Sequence, residues 1–215
     1  MPVRNRIRRA GLEMAMLYNV REHRRVRHGD VRRAPSQGQL RRLGEAGHRA
    51  LFSGASASIC SALALAVCSR IDEGSFAGGL NGPSQWLWGE TEAYTRKPSA
   101  RHTIVGYGIH HLTSVFWATI YERAFGERAE GKTPLRRCAE AALSTTGAYV
   151  VDYHLTPPRL RPGFKKHVRT PSIFVIYGAF AAGLAGAAII RDRNQGNRRV
   201  PATLHKEQHP IGEPL

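Results

Sequence analysis

TIVGYGIHHLTSVFWATIY, residues 103–121, is the stretch on which the fold turns. It runs nineteen residues without a formal charge, between Arg101 and His102 on one side and Glu122 and Arg123 on the other. A helix of that length rises roughly 28 Å, close to the hydrocarbon thickness of a bilayer. Two adjacent histidines, His110 and His111, lie near its middle. In a membrane span such ionisable groups sit at depth, where their burial is costly and a function is to be sought.

Three further segments join it. Residues 50–69, ALFSGASASICSALALAVCS, hold no charged residue, and small side chains at Ser53, Ala57, Ser61, Ala64 and Cys68 recur every three to four positions. That spacing places them on one helix face, where a neighbouring helix can approach closely. Residues 171–190, PSIFVIYGAFAAGLAGAAII, are also uncharged, with a small-x-x-x-small ladder of Gly178, Ala182 and Gly186 and a second set, Ala179, Gly183 and Ala187, beside it. Residues 135–155 are the weakest candidate, because Glu140 stands near their start and Asp152 and His154 near their end. The fold expected is all-α: an integral membrane bundle of four transmembrane helices over about 50–69, 103–121, 135–155 and 171–190. A short interfacial helix belongs in the first outer loop. Asn81, Gly82 and Pro83 mark a turn there, Ser84 is placed to cap a helix from Gln85, and Trp86, Trp88 and Tyr94 suit a membrane–water boundary.

The charge pattern fits the same division. The chain carries 32 Lys+Arg against 16 Asp+Glu, a formal +16, which alone suggests nucleic acid or anionic lipid as partner. Its distribution argues against nucleic acid. The first 49 residues hold thirteen arginines and four acids, and two twenty-residue runs hold none of either. A mean hydropathy of −0.35 averages basic flanks with apolar segments. Residues 1–49 are therefore expected to be a mostly disordered cytoplasmic tail, able to lie on anionic lipid headgroups, with residues 191–215 a polar C-terminal tail. Met14 and Met16 offer alternative starts, and no apolar run before residue 50 reads as a secretory signal. The two tails and the second connector carry most of the Lys/Arg, leaving nine on the first and third connectors. The positive-inside rule thus puts both termini in the cytoplasm, with Ser36 inside and Ser99 outside.

With this orientation His110 or His111 comes near Asp152 in depth, with His154, Glu90 and Glu92 above. A carboxylate beside an imidazole fixes its tautomer and lowers the cost of burying either group. The candidate protonatable cluster is therefore His110, His111, Asp152 and His154. His110 shares a helical face with Tyr107, Ser114 and Trp117, and His111 points about 100° away, so the pair cannot act together as metal ligands would. No catalytic residue, metal or cofactor is expected. Cys60, Cys68 and Cys138, odd in number and without C-x-x-C spacing, read as small apolar residues.

The segments NGPSQWLWG, RHTIVGYGIHHLTSVFWATIYERAFG and VDYHLTPPRLRPGF resemble small four-pass inner-membrane proteins of bacteria. The chain is also distantly similar to the YagU-like family, through His111 with Ser114, Val115 and Phe116, and through Leu155, Thr156, Pro157 and Pro158. The resemblance covers residues 50–190. It implies the inner membrane and a topology, and carries over no catalytic residues. The leading expectation is a structural or accessory membrane protein that is not an enzyme. A proton- or ion-coupled transport component is the alternative, and there the small bundle implies a homo-oligomer. A soluble basic nucleic-acid binder is the third class.

Overall fold

The computed structural model describes residues 37–126 and 132–199, and the described residues contain helices and turns but no strand. The chain divides into two units, 1–42 and 43–215; everything below concerns the second, apart from the opening turns of its first helix. Four long helices organise it: α1 (Gln37–Glu73), α4 (Val105–Phe125), α5 (Pro134–Val150) and α6 (Thr170–Arg199). Two short ones, α2 (Phe76–Asn81) and α3 (Gln85–Trp88), lie in the connector between α1 and α4.

The helices run up and down. Ser53 of α1 meets Glu122 of α4, and Ser61, eight residues further along, meets His110, so these two are antiparallel. Arg137 of α5 meets Asp192 of α6, while Tyr149 packs on Tyr177, giving a second antiparallel pair. Ala57 and Asp72 of α1 face Gly183 and Ser172 of α6 in the same sense. The start of α1 and the end of α6 therefore share one end of the bundle, and the first and third connectors share the other.

Close approach comes from glycine. A Cβ at Gly54 would stand 2.7 Å from Val115 Cα, and one at Gly183 would stand 2.6 Å from Ala57 Cα. These contacts let α1 lie backbone to backbone against α4 and α6. The ladder Gly178, Ala182 and Gly186 does not serve this contact. Gly178 and Ala182 are exposed, and a Cβ at Gly178 or Gly186 would meet nothing within 4 Å. The neighbouring set around Gly183 and Ala187 faces α1 instead, because the axis of contact lies about 100° round the helix.

The helices α1, α4 and α5 bury polar and charged side chains, whereas α6 buries apolar ones such as Ile173, Ile176 and Leu184, and all four turn large apolar side chains outward. Their buried positions include Ser53, Ser58 and Ser61 on α1, His110, Ser114 and Glu122 on α4, and Arg137, Glu140 and Thr145 on α5. Their outward positions carry large apolar side chains: Leu51, Ile59, Leu63 and Val67; Leu112, Phe116 and Ile120; Leu135 and Leu143; Phe174 and Val175. In water the large apolar residues would turn inward.

Among the described residues two helices are long and apolar enough to cross a membrane, α1 over Gly44–Glu73 and α6 over Thr170–Gly196. The other two depart from the expected pattern. α5 is 17 residues long, with Arg136, Arg137 and Glu140 in its first two turns, and it ends at Val150, where a π-turn (Val151–Leu155) takes over the rest of the expected 135–155 segment. α4 is 21 residues, but rings and hydroxyls occupy much of its length.

The tail boundaries also move. Residues 37–49 are helical and continuous with the first apolar run, and α6 continues to Arg199, so the expected limits at 49 and 191 both fall inside helices. The remainder of both tails, Ser36 included, lies outside the described residues. In the first connector Ser84 caps nothing. Its backbone is helical (φ −62°, ψ −14°), continuing a 3-10 turn at Gly82–Ser84, whereas an N-cap needs extended backbone. This connector is no loose surface segment: Asn81, Gly82, Pro83 and Gln85 are buried, and Gly82 touches Gly163 of the third connector.

Candidate functional site: a cavity between His110 and Asp152

At the end of the bundle opposite the one where α6 finishes, a cavity of about 230 Å³ opens between the four helices, roofed by the two connectors. Ser61 of α1, His110 and Trp117 of α4, Asp152 of the π-turn and Tyr177 of α6 reach it from the sides. Pro83 and Trp86 come from the first connector, and Leu160, Pro162 and Phe164 from the third. π-turns shift helix register by one residue and recur at functional sites. This one carries Asp152 on the cavity wall while burying Tyr153 against Tyr177.

His110 is buried, with Nε2 3.0 Å from Ser61 Oγ. Ser61 has a single hydroxyl hydrogen, and its shorter bond, 2.7 Å, goes to the Ala57 carbonyl. His110 Nε2–H is thereby assigned as the donor to Ser61, which leaves the lone pair on Nδ1. The ring packs edge-on against Phe164 at 5.8 Å, and the His110 carbonyl accepts from Ser114 at 2.7 Å. Asp152 is held differently. Tyr177 donates its hydroxyl to Oδ2 at 2.6 Å, and Trp117 lines the cavity beside the same carboxylate. Tyr149 fixes the Tyr177 ring at 5.4 Å, edge to face.

His110 and Asp152 thus face one cavity without bonding each other. His111 is half-buried beside Tyr107, does not line the cavity, and its Nδ1 is buried with no hydrogen-bond partner. His154 is exposed, its ring against Tyr149. Of the expected cluster, the structure gathers two members and leaves two outside. Trp86 is half-buried at the cavity and donates to the Arg161 carbonyl at 3.3 Å. Trp88 and Tyr94 are exposed, the first beneath Arg101 and the second beneath Lys166. Glu92 pairs with His102 at 2.8 Å, and the Glu90 carbonyl accepts from Lys166, so neither acid reaches the cavity. Among the described residues no group of His, Cys, Asp and Glu could hold a metal ion.

Sequence reasoning passed over three features. Tyr177, one of two hydroxyls in the apolar run 171–190, is the direct partner of Asp152. His167 in the third connector is buried, with Glu73 at one ring nitrogen and the Ala93 carbonyl at the other, which ties that connector to α1 and to the first connector. The third is a charge cluster at the opposite end. Glu122 is buried between Arg191 at 2.8 Å and Arg49 at 3.7 Å, with Ser53 donating at 2.5 Å. Beside it Arg137 holds Asp192 through two bonds, 2.7 and 2.9 Å, and Glu140 takes Lys132 and Arg136.

No protein-family model, curated protein or solved structure matches this chain.

Proposed function

We propose that the chain is a four-pass membrane protein with an accessory, non-enzymatic role centred on the His110/Asp152 cavity. In this reading α4 and α5 cross the bilayer together with α1 and α6, both termini are cytoplasmic, and the membrane is the inner membrane of a bacterium. The observation that carries the reading is the inverted burial of α1, α4 and α5, together with the large apolar side chains that all four helices turn outward. Serines and ionised side chains face inward while Leu63, Phe116, Leu143 and Phe174 face outward. Lipid tails are as apolar as leucine, so such helices are held by small-residue packing and internal polar bonds, which Gly54, Gly183 and the Glu122 cluster provide. The paired charges on α4 and α5 lie near their ends at the terminus side, where the cost of burial falls.

The decisive experiment is extraction. Membranes washed with alkaline carbonate should retain the protein, and detergent should release it. Recovery in the carbonate supernatant would overturn the membrane reading and favour a soluble basic protein. A second reading, a proton- or ion-coupled transport component, is favoured by one observation: two titratable side chains face a common cavity without pairing, as a relay in a membrane needs.

A further inference from the structure

We propose that the cavity binds a small organic cation, a quaternary or protonated amine carrying an apolar group. The first argument is a missing counter-charge. In the ion pairs of this bundle Glu122 has Arg49 and Arg191, Glu140 has Lys132, Arg136 and Arg137, Asp192 has Arg137, and Glu73 has Arg96. Asp152 has one neutral donor, Tyr177, with Trp117 beside it on the wall, and no Lys or Arg within ion-pair distance among the described residues. Asp72 likewise has no ion pair among the described residues, but it is taken up by the Arg169 amide and the Ser172 hydroxyl and faces no cavity. A half-buried carboxylate that faces a cavity in this way offers its negative charge to whatever enters.

The walls supply the second argument. Six aromatic rings line the space: Trp86, Phe116, Trp117, Phe164, Tyr177 and Phe180. Ring faces attract cations through their quadrupole, most strongly where water is excluded, and a cage of rings with one acid is how proteins hold alkylammonium groups. The remaining titratable group on the wall, His110, is bonded to Ser61 and contributes an edge rather than a second charge. No Lys or Arg lines the wall to hold an anion, and there is no second carboxylate for a metal ion.

Size and access complete the match. At about 230 Å³ the cavity lies below the roughly 300–1,000 Å³ of drug-sized sites, so it takes a ligand of about one ring and one ammonium group. Phe116 and Leu160, both exposed, stand on its rim, so an amphiphile can enter from the outer leaflet side.

The inference names the ligand class of the cavity in the accessory reading, and its test is independent of extraction. The detergent-solubilised full chain is titrated with benzyltrimethylammonium, with dimethyl benzyl carbinol as neutral near-isostere and phenylpropionate as anion. Calorimetry and the fluorescence of Trp86 and Trp117 report binding. The cation should bind saturably, about tenfold or more tighter than the carbinol, with the anion not binding. Asp152→Asn should reduce cation affinity about tenfold, to the level of the carbinol, and leave carbinol binding unchanged. Ala148→Leu, which fills the cavity and keeps the carboxylate, should abolish both. Equal affinity for cation and carbinol, or unchanged cation affinity in Asp152→Asn, would overturn the proposal. If Asp152→Asn fails to fold, the wild-type comparison of cation, carbinol and anion decides alone. A protein that binds the cation but leaves the membrane in carbonate would lose the membrane reading and keep this one, and absence of binding in a carbonate-resistant protein would do the reverse.

Discussion

At the scale of single residues, Gly183 marks the tightest glycine contact between two of the long helices. An added Cβ would meet Ala57 Cα at 2.6 Å and the Ser56 carbonyl oxygen at 2.7 Å, and both neighbours are backbone, so the helix itself must shift. Gly183→Ala is therefore expected to cost about 1–3 kcal/mol, the range for overpacking a filled site. Gly178→Ala meets open space and should be neutral or gain up to about 1 kcal/mol from helix propensity. Thermal unfolding in detergent separates the two, and equal melting temperatures would refute the assignment of the contact face. The choice between the faces was not legible in the sequence. Gly178, Ala182 and Gly186 keep the same period as Ala179, Gly183 and Ala187, and composition alone cannot tell two small faces apart. What decides is the position of Ala57, more than a hundred residues away. The histidine pair was easier, since a rotation of about 100° separates neighbours on any helix and the company of His110 (Ser114 and Trp117) is polar and ring-bearing.

At the scale of elements, α5 and α6 are joined by a fork-to-fork ion pair. Arg137 is almost wholly buried and reaches Asp192 with two nitrogens, while its third contact is the Phe125 carbonyl. Removing one partner strands the other without solvent. Asp192→Asn is expected to lose stability toward the lower end of the about 3–5 kcal/mol seen for broken buried pairs, since Glu140 still faces the guanidinium. Replacing both, Arg137→Met with Asp192→Leu, should cost less than Asp192→Asn alone, because no buried charge is left behind. Detergent–denaturant unfolding of the two variants gives the comparison, and a double variant weaker than the single would contradict it. The sequence shows Arg136, Arg137 and Glu140 at helical spacing and makes this segment look like a poor span. It does not show that Lys132 and Asp192 complete the network. A charge inside a span looks isolated until the chain that neutralises it is placed beside it. The first connector misled for a related reason. Its tryptophans and turn residues read as a surface segment, yet its glycines let Gly82 sit against Gly163 and close the cavity from above.

At the scale of the whole molecule the proposed membrane placement predicts which end of the bundle faces the cytoplasm. The terminus end, where α6 finishes, gathers Arg49, Lys132, Arg136, Arg137 and Arg191 around three acids. The connector end is mixed: Asp72, Glu73 and Glu92 stand among Arg96, His102, Lys166 and His167. Cationic side chains beside a span stay on the cytoplasmic side, so the terminus end should face inward. Cysteine labelling in intact cells tests this, in a background where Cys60, Cys68 and Cys138 are replaced; Cys60 and Cys138 are exposed and would otherwise compete. Ser99 is a poor reporter, because its hydroxyl caps the π-turn at Ala100–Ile104. The neighbouring exposed Ala100 is cleaner, and Gln195, exposed near the end of α6, reports the other side. A membrane-impermeant maleimide should label Ala100→Cys in intact cells and reach Gln195→Cys only after permeabilisation. The reverse pattern would invert the topology and turn the Asp152 cavity toward the cytoplasm. A cation would then be drawn from inside the cell rather than from outside.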